Sequence, residues 1–135
     1  MRGVPQGSCL SPLLFNIYIC ELPVICQPSV KAWQFADDLT ETCAHSDPAV
    51  IIDTLEDSYN RTKQYCQSRE FVLDATKTQL ILFKVRRKKI DASIQLAVDD
   101  SFIKPTNTVK LLGVTLDHHF TFTDHIEEVC SGCRH

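Results

Sequence analysis

Two pairs of adjacent carboxylates, Asp37-Asp38 and Asp99-Asp100, are the residues of this 135-residue chain best suited to hold a hard divalent cation. Neighbouring Asp side chains leave the backbone near one point, and Mg²⁺ is held by one or two carboxylates together with water and substrate phosphates. Asp also favours turns, so local pattern alone leaves both pairs open as plain loop chemistry. Gly3-Val4-Pro5-Gln6-Gly7-Ser8 runs ahead of a helix start and suits close backbone approach by an anionic or planar ligand. Cys130 and Cys133 form a Cys-x-x-Cys with His125 upstream and His135 at the end, residue types compatible with zinc, although a single knuckle is a thin basis for a metal site. Lys84-Val85-Arg86-Arg87-Lys88-Lys89 suits either phosphate contact or a solvated turn.

These residues need elements to hold them. Ser11 as N-cap, Pro12 at the first helical position and a run of apolar residues predict a buried helix from about Pro12 to Leu22, stopped by Pro23. Val30 to Phe35, with Trp33 and Phe35 on one alternation, and Leu39 to Ala44 read as short strands, which puts Asp37-Asp38 at a hairpin tip. Asp47-Pro48 opens a second helix, whose apolar face is expected at Ile51, Leu55, Tyr59, Thr62 and Cys66. Leu80 to Phe83, Ile94 to Val98 and Val109 to Leu116 read as further strands, and Thr123 or Asp124 with Glu127 opens a last helix. His118-His119 is expected on the surface at a strand end. Short strands mixed with helices, without strict βαβ alternation, indicate an α+β fold with a largely antiparallel sheet. Leu13, Phe15, Ile51, Leu55, Leu80, Leu82 and Leu112 are the expected core.

Composition sets the outer bounds. A chain that is 44% apolar and 23% charged suits one ordinary domain and excludes disorder and collagen-like repeats. Its net charge of -3 excludes a general positive field; without the basic cluster, 9 Lys and Arg would face 17 Asp and Glu, so any nucleic-acid contact must be local. Seven scattered cysteines, an odd number, read as reduced thiols of an intracellular protein, nuclear or cytoplasmic and not secreted. The uncharged stretch from Gly3 to Cys20 is interrupted by Pro5, Gln6, Gly7, Ser8, Ser11, Pro12 and Asn16, so neither a membrane span nor a signal peptide is expected.

Taken together, Gly3-Val4-Pro5-Gln6-Gly7-Ser8-Cys9-Leu10-Ser11-Pro12-Leu13-Leu14-Phe15-Asn16-Ile17-Tyr18-Ile19 and Phe35-Ala36-Asp37-Asp38 resemble the palm of reverse transcriptases of non-LTR, LINE-like retrotransposons. Leu73 to Phe83, with Lys77-Thr78, is similar to that family's Asn-x-x-Lys-Thr region, and Leu112-Gly113-Val114-Thr115-Leu116-Asp117 with Asp124-His125-Ile126 to its primer-grip region. The resemblance covers nearly the whole chain. It implies a partial palm over residues 1–118, an antiparallel sheet with helices packed on one face, and the start of a thumb connection over 119–135, with no fingers and almost no thumb. The implied activity is RNA-directed DNA polymerisation, with RNA template, DNA primer and deoxynucleoside triphosphates as partners, Mg²⁺ or Mn²⁺ as cofactor, and no membrane. On the same resemblance Asp37 is the expected metal ligand and Asp38 its support. Lys77 acts near the triphosphate, Gln6, Gly7 and Ser8 lie against template and nucleotide, Phe35 and Ala36 floor the nucleotide pocket, and Leu112, Gly113 and Val114 grip the primer.

Three departures qualify this expectation. The family's further Asp lies on a strand before the Gly-Val-Pro-Gln-Gly loop, where this sequence has only Met1-Arg2; Asp74 stands where Asn is usual; and Leu39 follows the Asp pair where Thr is common. The chain by itself is therefore expected not to extend a primer. A non-catalytic relic and a small zinc-stabilised interaction module built on Cys130 and Cys133 are the rival readings, zinc being the weaker.

Overall fold

A computed structural model describes residues 7–83 and 94–133, which form two compact units meeting in sequence between Leu73 and Asp74. Gln6 and the basic run Lys84 to Lys89 lie outside the described residues.

The first unit opens with helix α1, Ser11–Ile19, followed by the short helix α2, Leu22–Ile25. One helix to Leu22 was expected; the break comes earlier because Pro23 has no N–H to give the Ile19 carbonyl and its ring crowds that carbonyl. Pro23 thus opens α2 instead of ending α1. Leu10, not Ser11, takes the N-cap position of α1, and no side chain caps it. Strands β1, Lys31–Phe35, and β2, Asp38–Thr42, pair antiparallel with Phe35 opposite Asp38 and Trp33 opposite Thr40. Helix α3, Pro48–Ser68, starts as expected, the Asp47 carboxylate accepting from the Ala49 N–H at 3.0 Å.

The buried face of α3 is Ile52, Ser58, Tyr59, Thr62, Tyr65 and Cys66; Tyr59, Thr62 and Cys66 are buried as expected, whereas Ile51 and Leu55 are only half-buried. Tyr65 and Cys66 form a core with Leu22, against which Ile25, Leu39, Phe71 and Leu73 pack. Polar groups in this interior are satisfied: Thr62 Oγ1 donates to Glu41 Oε1 at 3.0 Å, and the Cys26 thiol approaches the same oxygen at 3.3 Å. Arg69 joins the end of α1 to the end of α3. Its guanidinium lies 5.2 and 5.0 Å from the Tyr18 and Tyr65 ring centres, and it pairs with Glu21 at 2.6 Å and donates to the Tyr18 carbonyl at 3.0 Å. Leu13, expected in the core, is exposed, as are Leu10, Leu14 and Ile17.

The second unit begins with a 3-10 turn, Ala75–Lys77, capped by Asp74. Strands β3, Leu96–Val98, and β4, Ser101–Ile103, form one hairpin; β5, Thr108–Leu111, and β6, Val114–Asp117, form another. Helix α4, Thr123–Gly132, follows. The expected strand from Val109 to Leu116 is therefore two strands. Leu112 (φ 48°) and Gly113 (φ 85°) reverse the chain in the two-residue pattern of a type I′ turn, which leaves Leu112 exposed and outside the core. Leu80 to Phe83 makes no strand; Ile81 contributes an isolated parallel bridge to Thr106. Among the described residues, the antiparallel pairing expected for the chain is distributed over three two-stranded sheets.

Candidate active site

The β1–β2 hairpin has two different faces. Directly paired residues in an antiparallel ladder share a face, so Ala32, Gln34, Leu39 and Glu41 lie on one side, where Leu39 reaches the Leu22, Tyr65 and Cys66 core and Glu41 meets Thr62. Lys31, Trp33, Phe35, Asp38 and Thr40 lie on the other, and all but the half-buried Thr40 are exposed.

The turn itself is Ala36-Asp37, with Asp38 the first residue of β2, one residue earlier than the Asp37-Asp38 tip expected. Ala36 has φ 50°, a left-handed conformation unfavourable for a residue with a Cβ. Its carbonyl accepts from Gln34 Nε2 at 3.1 Å, which ties the turn back to β1. Both carboxylates stand in solvent at the end of a hairpin anchored from behind by α2 and α3.

Asp99-Asp100 also sits at a hairpin tip but one residue earlier in the turn: it fills the two-residue loop between β3 and β4, with Asp99, at φ 53°, in the place Ala36 takes between β1 and β2. Being at a hairpin tip alone therefore does not single out either pair. The flanking strands differ further: β1 exposes Lys31, Trp33 and Phe35 in a row, whereas β3 buries Leu96 and Val98 and β4 exposes one aromatic, Phe102.

The remaining sequence-predicted residues fall in both units. Gly7, exposed at φ 87°, and Ser8 lead into α1, the Ser8 carbonyl accepting from the Ser11 N–H at 3.2 Å. In the second unit, Lys77 is exposed at the end of the 3-10 turn, 3.8 Å from an Asp74 oxygen. The hydroxyl and N–H of Thr76, with Lys77 adding to them, hold the Asp74 carboxyl below its ordinary range. Leu112 and Gly113 form the tip of the β5–β6 hairpin and Val114 opens β6. That hairpin is braced by α4, where Glu128 accepts from Thr115 Oγ1 at 3.0 Å and pairs with Lys110; these two partners keep its carboxyl low.

Asp117, which sequence reading gave no role, ends β6 as a buried carboxylate. Burial opposes its charge, but the N–H groups of Phe122, His119 and Thr121 and the Thr121 hydroxyl outweigh that and hold its pKa down. They fold 117–122 into a loop that carries Phe120 and Phe122 at φ 58°. The sequence signal was an Asp followed at short spacing by Thr and amide donors, the pattern of an Asx turn.

Among the described residues no three His, Cys, Asp or Glu side chains converge as a metal cage. Cys130 and Cys133 are exposed on and just after α4, and His135 lies outside the described residues. No described helix is long and apolar enough to cross a membrane.

Comparison with known proteins gives this geometry a context. The probable RNA-directed DNA polymerase from transposon X-element of Drosophila melanogaster is 29% identical over 137 residues, covering 94% of this chain and 14% of that protein. The RNA-directed DNA polymerases from mobile element jockey of D. melanogaster and of Drosophila funebris are 23% and 25% identical, over 94% and 92% of this chain. The chain spans about a seventh of the length of these curated relatives. No solved structure matches it. The sequence profile described as reverse transcriptase (RNA-dependent DNA polymerase) matches residues 1–116, and the chain belongs to that family.

Proposed function

We propose that this chain is palm sequence of an RNA-directed DNA polymerase of a non-LTR retrotransposon, with residues 1–118 forming part of the palm and 119–135 the start of the thumb connection. The observation that carries this reading is the exposed Asp37-Asp38 pair at the end of a hairpin whose rear face is packed on α2 and α3. The substrates are an RNA template, a DNA primer and deoxynucleoside triphosphates.

The donor set fits a Mg²⁺ or Mn²⁺ ion shared with substrate. Two solvent-facing carboxylates offer hard oxygen ligands, and an ion held by one or two carboxylates completes its shell with water and phosphates. Such an ion supplies charge to steady the attacking and leaving oxygens of phosphoryl transfer. Asp37 is the principal ligand and Asp38 the support. Phe35, opposite Asp38, and Ala36 form the floor under the incoming nucleotide, and Gln6, Gly7 and Ser8 lie against template and nucleotide. Lys77 brings a positive charge to the triphosphate, and Leu112, Gly113 and Val114 support the primer end.

The test is a chimaera in which this chain replaces the corresponding segment of the X-element polymerase. Primer extension on an RNA template with Mg²⁺ is expected, and Asp37→Asn should reduce it at least a thousandfold, as expected when catalysis depends on metal charge and positioning. A folded chimaera that is inactive, or whose extension survives Asp37→Asn, would overturn the reading.

A further inference from the structure

We infer that Trp33 is a nucleobase-stacking residue, the centre of a short track along the outer face of β1 that holds a nucleic-acid strand leading to Asp37-Asp38. This rests on the polymerase reading above and adds to it a residue and a contact surface. Trp33 is the only tryptophan of the chain, and on a strand whose opposite face is packed it stands 54% exposed, with Phe35 at 64%. Two large aromatics side by side in water on one face of a strand make a contiguous apolar patch, a feature to be explained by what it binds.

The order of residues along this face identifies the occupant. From one end of β1 to the other it reads Lys31, Trp33, Phe35, with Asp38 opposite Phe35. A cation, two flat aromatic side chains and a carboxylate thus follow one another, over about 13 Å at the usual rise of a strand. Charged groups tracking a phosphate backbone, interleaved with aromatic rings on which bases stack, are the physical basis of sequence-tolerant single-strand binding. Lys31, without an ion-pair partner among the described residues, takes a phosphate, Trp33 takes a base, and the strand end falls at Phe35 and the carboxylates, next to the incoming nucleotide. An apolar protein partner would leave Lys31 and Asp38 to be desolvated at its two ends, which is unfavourable.

The single tryptophan makes the contact directly observable in the 135-residue chain. Short oligodeoxyadenylate is expected to quench Trp33 fluorescence, whereas an abasic oligomer of equal length and inorganic polyphosphate leave it unchanged. Trp33→Ala should weaken binding of oligodeoxyadenylate, followed by anisotropy of a labelled strand, about 5- to 150-fold, the range of one stacked base. Trp33→Phe should restore most of it, with circular dichroism confirming that both variants fold. Equal quenching by the abasic oligomer, no quenching at all, or unaltered affinity in folded Trp33→Ala would overturn the inference. So would a fluorescence change on raising protein concentration alone, accompanied by dimers in sedimentation, since the face would then be covered by a second copy. The readout needs no catalysis, so it can fail while the chimaera remains dependent on Asp37, or succeed while the polymerase reading falls.

Discussion

Asp117 shows how one side chain can hold a loop in a conformation its residues would otherwise avoid. Phe120 and Phe122 are bulky residues in the left-handed region, each at an energetic cost, and the carboxylate offsets it by accepting from the backbone at 119, 121 and 122. Because its folded pKa lies below the unfolded value, the stability it contributes is fully present above the ordinary carboxylate range and is lost as pH falls through the folded value. Asp117→Asn is therefore expected to lower the melting temperature at neutral pH by several degrees and to flatten the loss of stability below about pH 4. Parallel acid-melting curves for variant and parent would contradict that assignment. At this scale the candidate site was only half legible. Asp37-Asp38 and Asp99-Asp100 both sit at hairpin tips, and the one-residue offset, the run of Lys31, Trp33 and Phe35 on β1 and family membership set them apart.

Elements with local signals were easier to read. The Asp47-Pro48 start of α3 depends on a cap two residues away and was visible in the sequence, as was the Phe35 end of β1 from its alternation. The β5–β6 hairpin was hidden because its turn begins with Leu112, where a two-residue loop of this kind ordinarily carries Asn, Asp or Gly. Leu112→Asn is accordingly expected to stabilise the protein by about 1 kcal/mol in urea titration, since the side chain lost is exposed and the conformation gained is one Asn tolerates. A destabilised variant would mean that Leu112 is buried after all. Stabilisation accompanied by weaker primer binding in the chimaera would support the primer-support role proposed for this tip. The broader buried face of α3 has a different cause: the helix packs against both α2 and the hairpin, so Ser58 and Tyr65 are covered by neighbours no periodicity announces.

For the whole molecule, the α+β class and the antiparallel pairing were legible, because both follow from the mixture of short strands and helices. The division at Leu73 and Asp74 was not, because it falls between residues that belong to one continuous motif-like stretch. Charge divides with it: residues 1–73 carry 5 Lys and Arg against 9 Asp and Glu, and residues 74–135 carry 9 against 8. The three hairpins share a further property, since each is closed by two residues and the first of those, Ala36, Asp99 or Leu112, is a left-handed residue other than glycine. Every strand thus finds its partner across the shortest possible stretch of chain, and little loop-closure entropy stands in the way. Topologies built from such local pairings assemble quickly, hairpins alone forming in roughly 1–10 μs. A temperature jump followed through Trp33 should therefore show the β1–β2 hairpin relaxing on that timescale, ahead of its docking on α3. Ala36→Gly, which relieves the turn, should speed that first relaxation and leave the later docking rate nearly unchanged.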